Sequence, residues 1–314
     1  MKLPLHHVIQ PGLVHFMAYP AIAQGEGPVL EAFRATLSDS FFEGIEITLI
    51  KDPTVREQVK AMIQSASVVA KYCVHPQLLG KKLDLNSADE AARRRAIDEV
   101  KAGIEVAVGM DIFDVGFPSG WDVPKADRAA AMDRLEASLV ELCQFGAQRG
   151  TKLVLEVFDR DMDKKCLIGP ADVARAIAER VKRNCANFGL VVDLSHIPLL
   201  GESPAQALRP VATHLAHTHI GNAYFQDRAN PLWGDNHPRF GYPGGVNDVP
   251  QIVEFLRELF AIGYLTLDGT RRGTVSFEIK TMPGEEPTVM LAAAKRKLVE
   301  AWALLDLDAP PIRK

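Results

Sequence analysis

The chain has 314 residues, 47% hydrophobic and 24% charged, which is the balance of a water-soluble globular protein. A net charge of −4, with both signs interspersed along the chain, argues against a polyanion-binding surface and so against nucleic acid as a partner. No run approaches the roughly 18 apolar residues of a membrane span, and the first residues lack a signal-peptide core. The four cysteines (Cys73, Cys143, Cys166 and Cys185) are scattered without a CxxC pair, so a reduced, cytoplasmic protein with no membrane partner is expected.

Eight strand-like runs follow one another: GLVHFMAY (12–19), GIEITLI (44–50), SVVAKYCVH (67–75), DIFDVGF (111–117), KLVLEVF (152–158), FGLVVDL (188–194), THLAHTHI (213–220) and TVSFEIK (274–280). Most are apolar on consecutive positions, as strands covered by helices on both faces are. Between them lie segments of helical spacing rich in Ala, Leu, Glu, Lys and Arg, at 87–109, 128–150, 169–184 and 249–263. Ser87 with Glu90 reads as a capping box, Pro170 as an early helical residue, and Gly150 and Gly263 as residues just past helix ends. Eight strand-then-helix units without a break in composition predict one α/β domain over residues 1–314, a (β/α)8 TIM barrel. A doubly wound open sheet is the competing arrangement, although no GxGxxG or GxxxxGK[ST] follows any strand to support its nucleotide-binding form.

Two connections are long: residues 117–127 after the fourth strand and 221–250 after the seventh. The second is rich in aromatic and basic side chains, a composition poorly suited to disorder, and reads as an ordered segment over a site.

The chemistry sits at strand ends. The fifth strand carries Glu156 inside an apolar run, the sixth ends on Asp193 with His196 just beyond, the seventh carries His217 and His219, and the eighth carries Glu278. In a parallel barrel these ends converge on one face. Three carboxylates buried there together would each cost several kcal/mol without a cation, roughly, through desolvation and repulsion. A divalent metal held by Glu156, Asp193, His219 and Glu278 resolves this, and the oxygen-rich set favours Mn2+ first, with Mg2+, Co2+ or Zn2+ as alternatives. His15, Tyr19, Glu46, His75 and Asp114 are weaker pocket candidates, each weighed toward a structural role.

The succession Glu156, then Asp193-x-x-His196, then His219-x-Gly221, then Glu278 resembles the xylose-isomerase-like TIM barrels, the superfamily of sugar and sugar-phosphate isomerases, ketose 3-epimerases and endonuclease IV. The resemblance covers most of the chain and is most specific between Glu156 and Glu278. It implies that Glu156 and Glu278 bind the metal and move the substrate proton, that Asp193 and His219 complete the ligand set, and that His196 hydrogen-bonds substrate. It also implies a small carbohydrate as substrate and an isomerase or epimerase reaction through metal-assisted enolisation.

There are departures: Phe225 stands where the ketose epimerases carry an arginine six residues past the ligand histidine, and neither Arg228 nor Arg239 matches that position. The extra histidines and basic groove of endonuclease IV are not evident. The long loop is similar to that of the C-glycoside deglycosidase branch, which implies a lyase that cleaves 3-keto glycosides by β-elimination with His237 as general acid. His237, Arg239, Trp121 and Trp233 are then the candidates to contact substrate. A homo-oligomer is expected, or a hetero-oligomer with a small subunit for a deglycosidase. A catalytically silent sugar- or partner-binding barrel is the third reading, opposed by the intact ligand set.

Overall fold

Eight short strands, each followed by a helix, pair in sequence order and in parallel until the last meets the first: β1 (Ile9–Val14), β2 (Gly44–Ile47), β3 (Val69–Cys73), β4 (Asp114–Pro118), β5 (Lys152–Val157), β6 (Phe188–Asp193), β7 (Leu215–Gly221) and β8 (Gly273–Glu278). The structure is a computed structural model that describes residues 3–268 and 272–307. Closure is made by β1 against β8, in register from Ile9 opposite Gly273 to Leu13 opposite Phe277. The (β/α)8 barrel is thus observed and the open sheet is excluded.

The consecutive apolar residues have the reason the sequence implies. Every residue of β6 is buried, as are Leu153 to Val157 of β5, because one face fills the barrel and the other meets the helices. The principal outer helices after β3, β4, β5 and β7 are Glu90–Gly109, Arg128–Ala147, Ala171–Lys182 and Val249–Ala261. Gly150 and Gly263 follow two of these ends in the left-handed region, at φ of 70° and 73°, where a side chain would be strained. Among the described residues no helix is long and apolar enough to cross a membrane.

Three local expectations are corrected. The first strand lies earlier than 12–19, because the chain leaves the sheet at Val14 and His15–Ala18 form a helical turn closed by the Tyr19 amide donating to the His15 carbonyl at 2.9 Å. The capping box at Ser87 does not form. Asp89 caps that helix instead, accepting from the Ala91 and Ala92 amides, since a carboxylate directly before the first turn reaches its free N–H groups. Pro170 is the residue preceding its helix, not one inside it.

The 221–250 connection is ordered and folds back on itself, with Tyr224 bridged to Gly234. Its root is packed against the barrel at Gly221, where an added Cβ would stand 2.7 Å from the Glu278 carbonyl oxygen, 2.9 Å from His237 Nδ1 and 3.2 Å from Ser195 Cβ. Gly221→Ala is therefore expected to cost about 1–3 kcal/mol through overpacking, read as a fall of several degrees in the calorimetric melting temperature. An unchanged melting temperature would show that β7 and β8 part freely there.

Candidate functional site

Parallel strands in register carry their last side chains to one level of the barrel. Asp193 stands opposite His219 across β6 and β7, and Gly221 opposite Glu278 across β7 and β8. Glu156 stands opposite Val191 on β6. One oxygen or nitrogen from each of Glu156, Asp193, His219 and Glu278 falls within 4.8 Å of all the others, although these residues are only 2%, 0%, 3% and 8% exposed.

His219 is the hub. Its Nδ1 lies 2.7 Å from Glu278 Oε2 and 3.2 Å from Glu156 Oε1, while its Nε2 lies 3.1 and 3.2 Å from the two oxygens of Glu46. Glu46 also takes His217 Nε2 at 2.6 Å, and His75 Nε2 stands 3.0 Å from Glu156 Oε2 without the alignment of a hydrogen bond. Glu278 Oε2 has no hydrogen bond among the described residues despite its 2.7 Å approach to His219 Nδ1, so the two atoms meet side by side and not head-on. Neighbouring ligands of a shared cation approach each other in this way.

A second set lies over the first. His237 Nε2 contacts Asp235 Oδ1 at 2.7 Å and its Nδ1 is 3.6 Å from Asp193 Oδ2. His196 Nδ1 is 3.4 Å from Asp235 Oδ1, its Nε2 is 3.7 Å from Glu156 Oε1, and its ring packs on Phe158 with centroids 4.5 Å apart. Donor atoms of Asp193, His196 and His237 also lie within 4.8 Å of one another. Lys164 Nζ braces Asp235, 3.1 Å from Oδ2 and 3.0 Å from its carbonyl oxygen, and also meets Asp163 Oδ2 at 3.0 Å.

The electrostatics describe a centre short of positive charge. Burial pushes the Asp193 carboxyl up, and the Glu278 charge pushes it further. Burial pushes the His219 imidazole down, but Glu46, Glu156 and Glu278 outweigh it and carry the ring well above its ordinary value. In the same balance of burial against carboxylates, Asp235 foremost, His196 rises to about 10 and His237 to about 9. Five buried carboxylates (Glu46, Glu156, Asp193, Asp235 and Glu278) thus draw protons onto the groups between them, with Lys164 the lysine paired to this cluster. A divalent cation would meet the same need with two charges at one point, and three carboxylates with one imidazole are a donor set that fits it.

Above the cluster opens a cavity of about 290 Å3, lined on this side by His75, Glu156, His219, Asp235, His237 and Glu278. His237 reaches it, whereas His196 is buried behind Glu156 and Phe158 and does not line it. Trp121, Trp233 and Arg239 stand outside its lining. Trp121 is bridged to Cys166, Trp233 lies under the Arg228 guanidinium at 4.9 Å, and Arg239 turns to Glu285 at 3.3 Å. Asp114 is at the far end of its strand, paired with Lys71. Sequence reasoning underweighted Glu46 and His75 and missed Asp235 and Lys164. Glu46 carried the same signal as Glu156, a carboxylate inside an apolar strand, but Asp235 lies in an irregular loop where no periodicity marks an inward side chain.

A family model described as xylose isomerase-like TIM barrel matches residues 33–297. No curated protein matches the sequence. Among solved structures, an L-ribulose 3-epimerase is 18% identical, with 98% of this chain and 99% of that one covered and a TM-score of 0.70. A 3-keto-D-glucoside 4-epimerase from E. coli is 19% identical over 94% and 99% of the two chains, with a TM-score of 0.60. The IOLI protein with a binding zinc atom is 16% identical over 95% and 99%, with a TM-score of 0.70. At these identities the likeness is one of fold.

Lys164 offers a direct check on the charge balance. Lys164→Met should leave Asp235 buried with only imidazoles for support and lower stability by about 1–3 kcal/mol, discounted for the partial exposure of the lysine. Urea unfolding followed by circular dichroism measures this, and an unmoved midpoint would mean that Asp235 does not depend on the lysine.

Proposed function

The chain belongs to the xylose isomerase-like TIM barrel family, and on that premise we propose that it is a divalent-metal-dependent enzyme that removes and returns a proton beside the carbonyl of a sugar, as an isomerase or epimerase. The observation that carries this reading is the convergence of Glu156, Asp193, His219 and Glu278 within 4.8 Å at one end of the barrel. Structural neighbours that are sugar epimerases support the substrate class.

Glu156, Asp193, His219 through Nδ1, and Glu278 would hold the cation, Mn2+ or Mg2+ by the oxygen-rich set. When bound, the cation acts as a Lewis acid toward the substrate oxygens. The remaining work belongs to the chain. Glu156 and Glu278 both line the cavity and reach His219 from two strands. One carboxylate takes the proton from the carbon next to the carbonyl; the other returns a proton to the opposite face of that carbon, or to its neighbour. Glu46 accepts from His219 Nε2 and thereby directs Nδ1 toward the cluster. His196 stands between Glu156 and Asp235, 3.7 and 3.4 Å from their carboxylate oxygens, where its charge favours ionised carboxylates on both sides. Asp235, Asn236 and His237 wall the cavity and exclude water from the carbanion.

A second reading, elimination of a group from the carbon β to the carbonyl, draws on one observation: His237 lines the cavity beside Glu278. In that case the electron pair left by proton removal expels the substituent, which takes a proton from His237.

Proton exchange with solvent tests the core of the proposal. Protein loaded with Mn2+ and incubated in D2O with a panel of ketoses and 3-keto glycosides should place deuterium beside the carbonyl, read by proton NMR. EDTA should abolish the exchange and added Mn2+ restore it, and Glu156→Gln or Glu278→Gln should slow it by about 10^2–10^4. Exchange at full rate in EDTA would sink the metal role, and full rate in both variants would sink the carboxylate roles.

The part assigned to Glu46 has a separate readout. Glu46→Gln should weaken Mn2+ binding to the metal-free protein by about 10- to 100-fold, measured by titration calorimetry. Equal affinity would reduce Glu46 to a packing residue.

A further inference from the structure

Much of the cavity wall is carbon. Apart from His75, its polar lining comes from β5, β7, β8 and the segments that follow them, whereas the facing wall is built by the turn after β1 and by the segment after β3, from Phe16, Met17, Pro20, Ala23, Pro76 and Leu79. These side chains are not surplus barrel core. Val14, Phe16 and Cys73 form a buried apolar cluster of their own, separate from the one that fills the barrel, with Met17 and Ala23 packed on it. The fold therefore places a second, small apolar cluster along the cavity wall.

That surface suits an unsubstituted sugar poorly. A free ketose carries a hydroxyl on nearly every carbon, and hydroxyls turned toward this wall give up water without finding a partner. The wall also leads outward. Pro20 and Lys280 line both this cavity and a neighbouring groove of about 640 Å3 between Tyr19, Pro28 and the 281–287 segment, so a group lying along the wall has a path to solvent.

We propose that the substrate is a carbonyl sugar bearing an apolar, ring-sized substituent, and that Phe16, Met17, Pro20 and Leu79 form the subsite for that substituent. This rests on the proton-transfer reading above, and it adds which sugars are chosen. The carboxylate side grips the reacting end, and the β1–β3 side selects for hydrocarbon.

Deuterium exchange by the Mn2+-loaded protein on 3-keto-glucose and on its methyl and phenyl glycosides tests the subsite. The expected result is a kcat/KM for the phenyl compound at least about tenfold above that of the unsubstituted sugar, with the methyl compound between them. Met17→Gln and Leu79→Gln, which exchange half-buried apolar chains for polar ones of similar size, should bring the phenyl-to-unsubstituted ratio toward one. A ratio near one in the native protein, or one that neither variant moves, overturns the subsite while leaving the proton-transfer reading intact. Should no sugar exchange, that reading fails, and calorimetric binding of phenyl glucoside against glucose still decides the subsite: tighter binding of the phenyl compound that Leu79→Gln abolishes supports it, and equal binding overturns it.

Discussion

Carboxylates crowded around one imidazole are the constraint to which the mouth of this barrel answers. Glu46, Glu156 and Glu278 all reach His219, and Asp193 stands in the same layer without access to water. Like charges at such separations repel strongly in a medium that screens poorly. The neighbouring residues make sense as responses to it. His217 supports Glu46, His75 supports Glu156, Ser195 donates its backbone N–H and its hydroxyl to Asp193, and Lys164 braces Asp235. A site assembled only to be stable would have used hydrocarbon at most of these positions.

The barrel is what makes the crowding attainable. Parallel strands in register bring the ends of β5 to β8 to one level, so residues up to 122 positions apart, Glu156 and Glu278, share one centre. The loop after β7 adds Asp235 and His237 from above and is fastened at several points. Asn247 donates to the carbonyls of Leu194 and Gly221 at 3.1 Å each, Asn222 donates to the Arg239 carbonyl at 3.1 Å, and the Lys280 amide donates to the His237 carbonyl at 2.8 Å. His237 itself has a left-handed backbone, φ 45°, a conformation costing a non-glycine residue about 1–3 kcal/mol. Those fastenings hold it there, with its ring turned into the site.

The cavity inherits two characters from the two halves of the ring. Strands β5, β7 and β8 end in charge, whereas the turn after β1 and, His75 aside, the segment after β3 bring apolar side chains, and a ligand filling the space meets both. Loop aromatics singled out from sequence, Trp121 and Trp233, pack elsewhere; the apolar contact falls to Phe16 and Met17, which read in sequence as the continuation of a strand.

The barrel and its central cluster were legible because both depend on pattern. Runs of consecutive apolar residues separated by helical spacing encode strands buried on two faces, and a charged residue inside such a run, as at Glu156 or Glu278, must be compensated wherever the strand lies. Parallel closure then leaves one end at which strand-end residues can gather, so Glu156, Asp193, His219 and Glu278 were determined by the sequence as neighbours. Tertiary structure alone decided the rest. Whether Glu46 meets His219, whether Arg239 faces the cavity or Glu285, and whether His196 lines the pocket or stands behind Glu156 are set by register, rotamer and loop path. Asp235 and Lys164 are brought together across 71 positions by two irregular loops. Such contacts have no local period in the chain, because the forces that fix them act between segments that meet only after the barrel has closed.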